Sequence, residues 1–269
     1  MDYPDSRIPK TIHYCWFGGS PLPEMAKRCI ASWKKYCPDY RIIEWNEKNF
    51  DINYNNYVRE AYEAKKWAFV SDVARLYALV TMGGIYMDTD VEVIKPLDSL
   101  RQYEAVSGFE SETRIPTGLM ACREGQELFS EFLGAYRDLH FKKEDGSFDL
   151  TTNVKRITDS CLKYGLSLDN KTQTIRGFTL LPYDYLCPKN CETLEMHVTE
   201  HTLCIHHFDG SWLTEEDKFC IAVKRNMLRF FPAPVSGYAA RFISVIKYRG
   251  LADAILQSAR WLRERKRRT

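Results

Sequence analysis

The chain opens with alternating signals for strand and helix. Thr11-Ile12-His13-Tyr14-Cys15-Trp16-Phe17 is rich in β-branched and aromatic residues and stops at Gly18-Gly19, as a strand stops at a turn. Pro23-Glu24 opens a helical stretch to about Tyr36, with Met25, Cys29, Ile30 and Trp33 on one face. Pro38-Asp39 breaks it, and residues 40–45 read as a second strand. This β-α-β start predicts a parallel sheet with helices outside. Residues 57–66 read as a charged helix. Phe69, Val73, Leu76 and Val80 form the apolar stripe of the next, with Asp72 and Arg75 off the stripe and Gly83-Gly84 as its stop. Residues 85–87 are a short buried strand, Asp88-Thr89-Asp90 a polar break, and residues 91–94 a further strand that Pro96 ends.

Further on, residues 105–109 and 119–122 read as strands, 126–139 and 153–164 as helices, 142–148 as a polar loop and 203–208 as a late strand. Pro232-Ala233-Pro234 marks a boundary. Beyond it, residues 242–262 form an amphipathic helix with a break at Gly250. The expectation is an α/β domain over residues 1–234 and a basic amphipathic helical tail over 235–269.

Composition narrows the class. The chain has 269 residues, 45% hydrophobic and 28% charged, ordinary for a globular protein with a full-sized core. No apolar run approaches the roughly 18–20 residues that span a bilayer, and residues 1–10 lack a basic-then-apolar signal pattern. A cytoplasmic protein is expected. The net charge of +2 hides an asymmetry: residues 239–269 carry nine Lys or Arg and two acids, so the rest is weakly acidic. That body is not a nucleic-acid-binding domain. The nine cysteines, an odd number, read as reduced thiols. Cys187 and Cys191, followed by Cys204, His206 and His207, match no common zinc spacing, and small hydrophobes in a Pro-containing loop are the preferred reading.

Asp88-Thr89-Asp90 carries the chemistry. In an extended segment, side chains two apart point the same way, about 6.6 Å apart along the chain. Two such carboxylates can converge on one divalent cation, and hard oxygen ligands suit Mg²⁺ or Mn²⁺. Ligand sites of α/β sheets lie beyond the carboxyl ends of strands, where this pair stands. Phosphatases of the haloacid dehalogenase type also use Asp-x-Asp, but place Thr or Val where this chain has Glu92 and put the motif at the start of the fold.

Four blocks then occur in order: Ile8-Pro9-Lys10-Thr11-Ile12-His13-Tyr14-Cys15-Trp16-Phe17-Gly18-Gly19, Ser71-Asp72-x-x-Arg75, Gly83-Gly84-Ile85-Tyr86-Met87-Asp88-Thr89-Asp90, and Ile205-His206-His207-x-x-x-Ser211-Trp212. Together they resemble glycosyltransferase family 32, the enzymes with a DXD-containing sugar-binding region. The resemblance implies a GT-A fold, a Rossmann-like mixed sheet flanked by helices. It also implies a nucleotide-sugar donor, Mn²⁺ or Mg²⁺ as cofactor, and retention of anomeric configuration. By position, His13, Trp16 and Gly18 would line the nucleotide, and Asp72 and Arg75 would hold the donor sugar and its ribose or phosphate. Asp88 and Asp90 would bind ribose and metal. Ser211 and Trp212 would donate to the diphosphate. Asp72, Arg75 and Asp90 form the expected catalytic set.

His206 or His207 could complete the metal shell; they alternate sides of a strand, so one faces the site. The resemblance leaves Asn153, Thr117 and Gly118 as weaker candidates and does not identify a nucleophile. The expected acceptor is a glycan or an undecaprenyl-linked saccharide of capsular or lipopolysaccharide assembly. A UDP-hexose is the first choice of donor, with GDP-mannose open. The rivals are a catalytically dead nucleotide-sugar or carbohydrate-binding module and a metal-independent glycoside hydrolase. The latter needs carboxylates flanking a bond from opposite sides. In the tail, Tyr248, Leu251, Ile255, Ala259 and Leu262 form one helical stripe beside basic residues. Two readings stand side by side: residues 239–269 bind the anionic inner face of the cell membrane, or the helix packs on its own domain.

Overall fold

Strand β1 (Thr11–Cys15) lies between two parallel neighbours, β2 (Arg41–Trp45) and β3 (Gly84–Met87). The chain between them forms α1 (Glu24–Tyr36), α2 (Asn56–Glu63) and α3 (Trp67–Met82). The parallel start read from the sequence holds for these three strands, and the sheet then becomes mixed. β4 (Val91–Val93) leaves it, and β5 (Ala105–Gly108) and β6 (Leu119–Cys122) follow. After α4 (Glu127–Gly134) and α5 (Asn153–Lys163) come β7 (Gln173–Ile175) and β8 (Phe178–Leu181). The order is β2-β1-β3-β6-β5-β8-β7, with β3/β6, β6/β5 and β8/β7 antiparallel and β5/β8 parallel. The α/β architecture with a mixed sheet and flanking helices is thus what the chain adopts. The structure is a computed structural model that describes residues 7–111, 113–115, 118–210 and 213–266, with side chains to residue 258.

Alternation along β3 decides what reaches the site. Ile85 and Met87 face a core that contains Trp33 and Cys29 of α1, while Tyr86 faces the core built on α3, with Val73 and Leu76. Each fully buried aliphatic side chain of these layers stabilises by about 1.5–3 kcal/mol. Asp88, two residues after Tyr86, follows it to the α3 side. β3 begins where α3 ends, at a paired glycine turn. Gly84 has φ +107, and a Cβ there would lie 2.6 Å from the Thr11 carbonyl oxygen, so the strand meets β1 only with glycine at this point.

β4 pairs antiparallel with β9 (Cys204–His206), which follows the short helix α6 (Tyr183–Leu186), and the register sets Val91 opposite His206. This two-stranded ribbon is fastened to α1. The Trp33 indole N–H donates to the Val91 carbonyl at 2.7 Å, and the Val93 N–H donates to Ser32 Oγ at 2.9 Å. Residues 126–139 were expected as one helix, but α4 stops at Gly134 and single turns follow.

The chain divides into two compact units, Met1–Asp209 and Gly210–Thr269. The second holds α7 (Glu215–Met227), α8 (Ala233–Arg249) and α9 (Leu251–Lys266). The sequence reading set a boundary after residue 234; the division seen here falls earlier, because α7 packs on α8. The helix expected over 242–262 is two, parted at Gly250 as read, and the first begins nine residues sooner.

Candidate active site

Asp88-Thr89-Asp90 is a tight turn between β3 and β4 and not the extended segment that the spacing suggested: the Val91 N–H donates back to the Asp88 carbonyl at 3.0 Å. Convergence of the two carboxylates therefore comes from a fold-back and not from strand alternation. β9 brings His206 to the same place. One ligand atom each from Asp88, Asp90 and His206 lies within 4.8 Å of the other two. His206 Nε2 is 3.2 Å from Asp90 Oδ1, and the Asp209 N–H donates to Asp90 Oδ2 at 2.9 Å. Burial opposes the charge on Asp90, but the His206 ring and the Asp209 N–H prevail and hold its carboxyl at about 2. Burial likewise opposes a charge on His206, and Asp90 overcomes it, raising the imidazole well above its usual value. The ring fits only because residue 118 is glycine: a Cβ at Gly118 would lie 2.8 Å from His206 Nδ1.

Two carboxylates and one imidazole, half-buried and on two elements fixed by β4–β9 pairing, suit a hard or borderline divalent cation. These are the residues that would hold Mn²⁺ or Mg²⁺. Of the two histidines, one of which the alternation aims at the site, His206 is the one at the cluster. His207 turns to the other side of the ribbon, where its Nε2 lies 2.7 Å from Glu92 Oε2. Cys187 and Cys204 are buried and reduced, and among the described residues the cysteines join no metal-binding cluster.

Behind the turn lies a buried charge triad. Arg75 reaches Asp72 at 3.1 Å and Asp88 at 3.3 Å, while its guanidinium stacks 4.6 Å above the Tyr86 ring, whose hydroxyl donates to Asp88 at 2.9 Å. Asp72 and Arg75 are 8% and 5% exposed, so an exposed helical ion pair is excluded. Burial lifts Asp72 to about 6 although Arg75 pulls the other way, and it raises Asp88 as well. One guanidinium between two carboxylates leaves the triad net negative, beside a cluster that would take a cation. Tyr86 escaped the sequence reading as a site residue. Its signal was available, since it stands two residues before Asp88 on the same strand.

The remaining candidates are placed as follows. His13 is fully buried; its Nε2 lies 2.8 Å from the Gly83 carbonyl and its Nδ1 accepts from the Trp45 indole N–H at 3.1 Å. Both ring nitrogens are engaged inside the sheet, so the buried His13 braces the α3–β3 junction, apart from the Asp88–Asp90–His206 cluster. Trp16 is half-buried, and its indole N–H donates to the Ser20 carbonyl at 2.5 Å. The exposed Gly18 N–H donates to Glu47 at 2.7 Å. Asn153, at the start of α5, is buried and donates to the Asp72 carbonyl at 3.3 Å. Ser211, Trp212 and Thr117 lie outside the described residues. A cavity of about 540 Å³ lined by Tyr54, Asn56, Ser130 and Arg137 contains none of these side chains.

The model of the "glycosyltransferase sugar-binding region containing DXD motif" family matches residues 23–107, the segment that holds Asp72, Arg75, Asp88 and Asp90. Residues 23–107 are thus similar to such a sugar-binding region. Subversion of eukaryotic traffic protein A of Legionella pneumophila is 22% identical over 181 residues, which is 55% of this chain and 27% of that protein. Inositol phosphoceramide mannosyltransferase 1 of Schizosaccharomyces pombe is 32% identical over 103 residues, 35% of this chain and 31% of that one. The chain thus spans about a third or less of the curated relatives it matches. Among solved structures, the PaToxG glycosyltransferase aligns at 22% identity with a TM-score of 0.40, over 48% of this chain and 59% of its own. The Asp88-Thr89-Asp90 turn lies within the matched residues, and His206, which joins it in the cluster, lies far outside them.

Proposed function

We propose that the protein is a retaining, metal-dependent glycosyltransferase of GT-A type, moving a hexose from a nucleotide-sugar donor to a saccharide. The observation that carries this is the union of the buried Asp72–Arg75–Asp88 triad with the Asp88–Asp90–His206 cluster at one strand end. A divalent cation bound at that cluster would supply Lewis-acid stabilisation to the departing nucleoside diphosphate. Asp72 accepts hydrogen bonds from sugar hydroxyls, and Arg75 grips donor oxygens in a fork. Tyr86 and Arg75 fix Asp88 so that its carboxylate is aimed before the donor arrives. Asp88 and Asp90 share one turn, so they do not flank a glycosidic bond as a hydrolase requires.

The finer reading is a UDP-hexose donor, with GDP-mannose in the test because a mannosyltransferase stands among the relatives. The acceptor is a glycan or undecaprenyl-linked saccharide of capsular or lipopolysaccharide assembly. The proposed location is cytoplasmic, peripheral on the inner membrane face through residues 239–269. The test is nucleotide release from UDP- and GDP-sugars with Mn²⁺, with EDTA and with Asp90→Ala. Release from one donor that needs metal and fails in Asp90→Ala is expected. Neither release nor calorimetric binding of any donor would overturn the reading.

A further inference from the structure

Helices α8 and α9 are packed with the wrong faces inward. α8 buries Ser236, Ala240, Ser244 and Val245, and α9 buries Ala254. Their larger apolar residues point outward: Val235 is 51% exposed, Ile243 41%, Leu251 58%, Ile255 55% and Leu256 57%. The turn between α7 and α8 adds Phe230 at 80% and Phe231 at 49%. That turn is held by its own backbone, since the Phe230 and Phe231 N–H groups both donate to the Met227 carbonyl at 3.0 and 2.9 Å. A soluble helix hides its apolar stripe, and large apolar side chains left exposed on several elements of one small unit point to an interaction surface.

Charge identifies the occupant. Residues 210–269 hold thirteen Lys and Arg against five Asp and Glu, a net of +8, while the other residues carry a net −6. A second copy would set +8 against +8. An anionic bilayer instead offers negative headgroups around an apolar interior, the two environments this unit presents in one place. We propose that Gly210–Thr269 docks on an anionic lipid surface, with Phe230 and Phe231 inserted as a wedge and the outward stripe of α8 and α9 lying in the headgroup boundary. This deepens the membrane contact put forward above for residues 239–269, and it adds an anchor at residues 230–231 outside that range.

The test is flotation of the full chain with vesicles of phosphatidylcholine alone and of phosphatidylcholine with phosphatidylglycerol in equal parts, with no donor present. Vesicle binding and nucleotide release are separate readouts, so failure of one leaves the other standing. Binding is expected only to the anionic vesicles and to weaken with salt. Phe230→Ser with Phe231→Ser is expected to reduce it by about tenfold or more, with helical content by circular dichroism unchanged. Leu251→Ser with Ile255→Ser is the second variant, on a separate element. Wild-type chain that floats with neither vesicle type would overturn the proposal. So would binding that both variants leave intact, or exposure explained by a dimer in solution that Phe230→Ser dissociates.

Discussion

Two charge triads of opposite composition occupy the two units. In the first, Arg75 stands between Asp72 and Asp88, with side chains 7%, 11% and 27% exposed. In the second, Glu216 stands between Arg241 at 3.6 Å and Arg249 at 2.8 Å, and both arginine side chains are nearly half exposed. The pairing chemistry is the same and the surroundings are not. Removed from water, a guanidinium with two carboxylates is a charge imbalance that the protein must hold in place, and it sits where a charged substrate and a cation would enter. In the second triad the Glu216 side chain is only 13% exposed, but both guanidinia reach water, so the cluster is a solvent-screened fastening between α7 and α8. Burial of the guanidinium, more than the number of ion pairs, separates the triad proposed for function from the one that fastens α7 to α8.

Replacing Arg75 by Met breaks the comparison most severely. It leaves two buried carboxylates without their cation and is expected to destabilise the fold by about 3–5 kcal/mol, read by urea denaturation. Asp72 is already lifted to about 6, so it can take up a proton once Arg75 is gone. A raised carboxyl stabilises at low pH and loses that contribution as pH rises through its folded value. The Arg75→Met defect should therefore be larger at pH 8 than at pH 5. Adding Asp72→Asn and Asp88→Asn should recover much of it. Next in size is Asp90→Asn, expected to cut nucleotide release about 100- to 1000-fold, by analogy with removing one transition-state charge stabiliser. Its melting temperature should change far less than that of Arg75→Met. Equal losses in both readouts would show that Asp90 is structural.

The first unit also buries a titrating group kept neutral. Desolvation lowers His13 to about 4, against a smaller opposing contribution from the Gly83 carbonyl. The unfolded chain protonates near 6.5, so stability from this group is complete above that value and lost as pH falls toward 4. Between pH 7 and pH 5 the loss is about 2 kcal/mol. Asp72, with its raised value, slopes the other way. The clean readout is thus the difference between wild type and His13→Gln: the variant should lack the His13 slope. Parallel pH profiles would mean that the ring is hydrated.

Much of the first unit was legible because its signals are local. The β3-turn-β4 motif shows in Gly83-Gly84 followed by an apolar run and two acids, and α1 and α3 show in their stripes. His206 against His207 was not legible. Period two says only that they face opposite ways, and the side is set by pairing of β9 with β4 across more than a hundred residues. Burial of Asp72 and Arg75 was equally hidden, since an i,i+3 ion pair reads the same on an exposed helix. α7 escaped because none of its residues is fully buried, so no apolar stripe marks it. On α8 the stripe was partly legible, but the rule that stripes face inward fails there.

The smallest expected effect probes the second triad. Arg249 binds Glu216 through two nitrogens, at 2.9 and 2.8 Å, which is the best geometry of the cluster. Its side chain is 46% exposed, so solvent screens the pair, and the Arg241 contact remains when it is removed. Arg249→Ala is expected to destabilise by less than about 1 kcal/mol, and by less still in high salt. Thermal melts with and without added salt measure this. The same salt step should leave the Arg75→Met defect nearly unchanged, because counterions do not reach the buried triad. A salt-insensitive loss at Arg249 as large as that at Arg75 would mean that burial is not what separates the two triads.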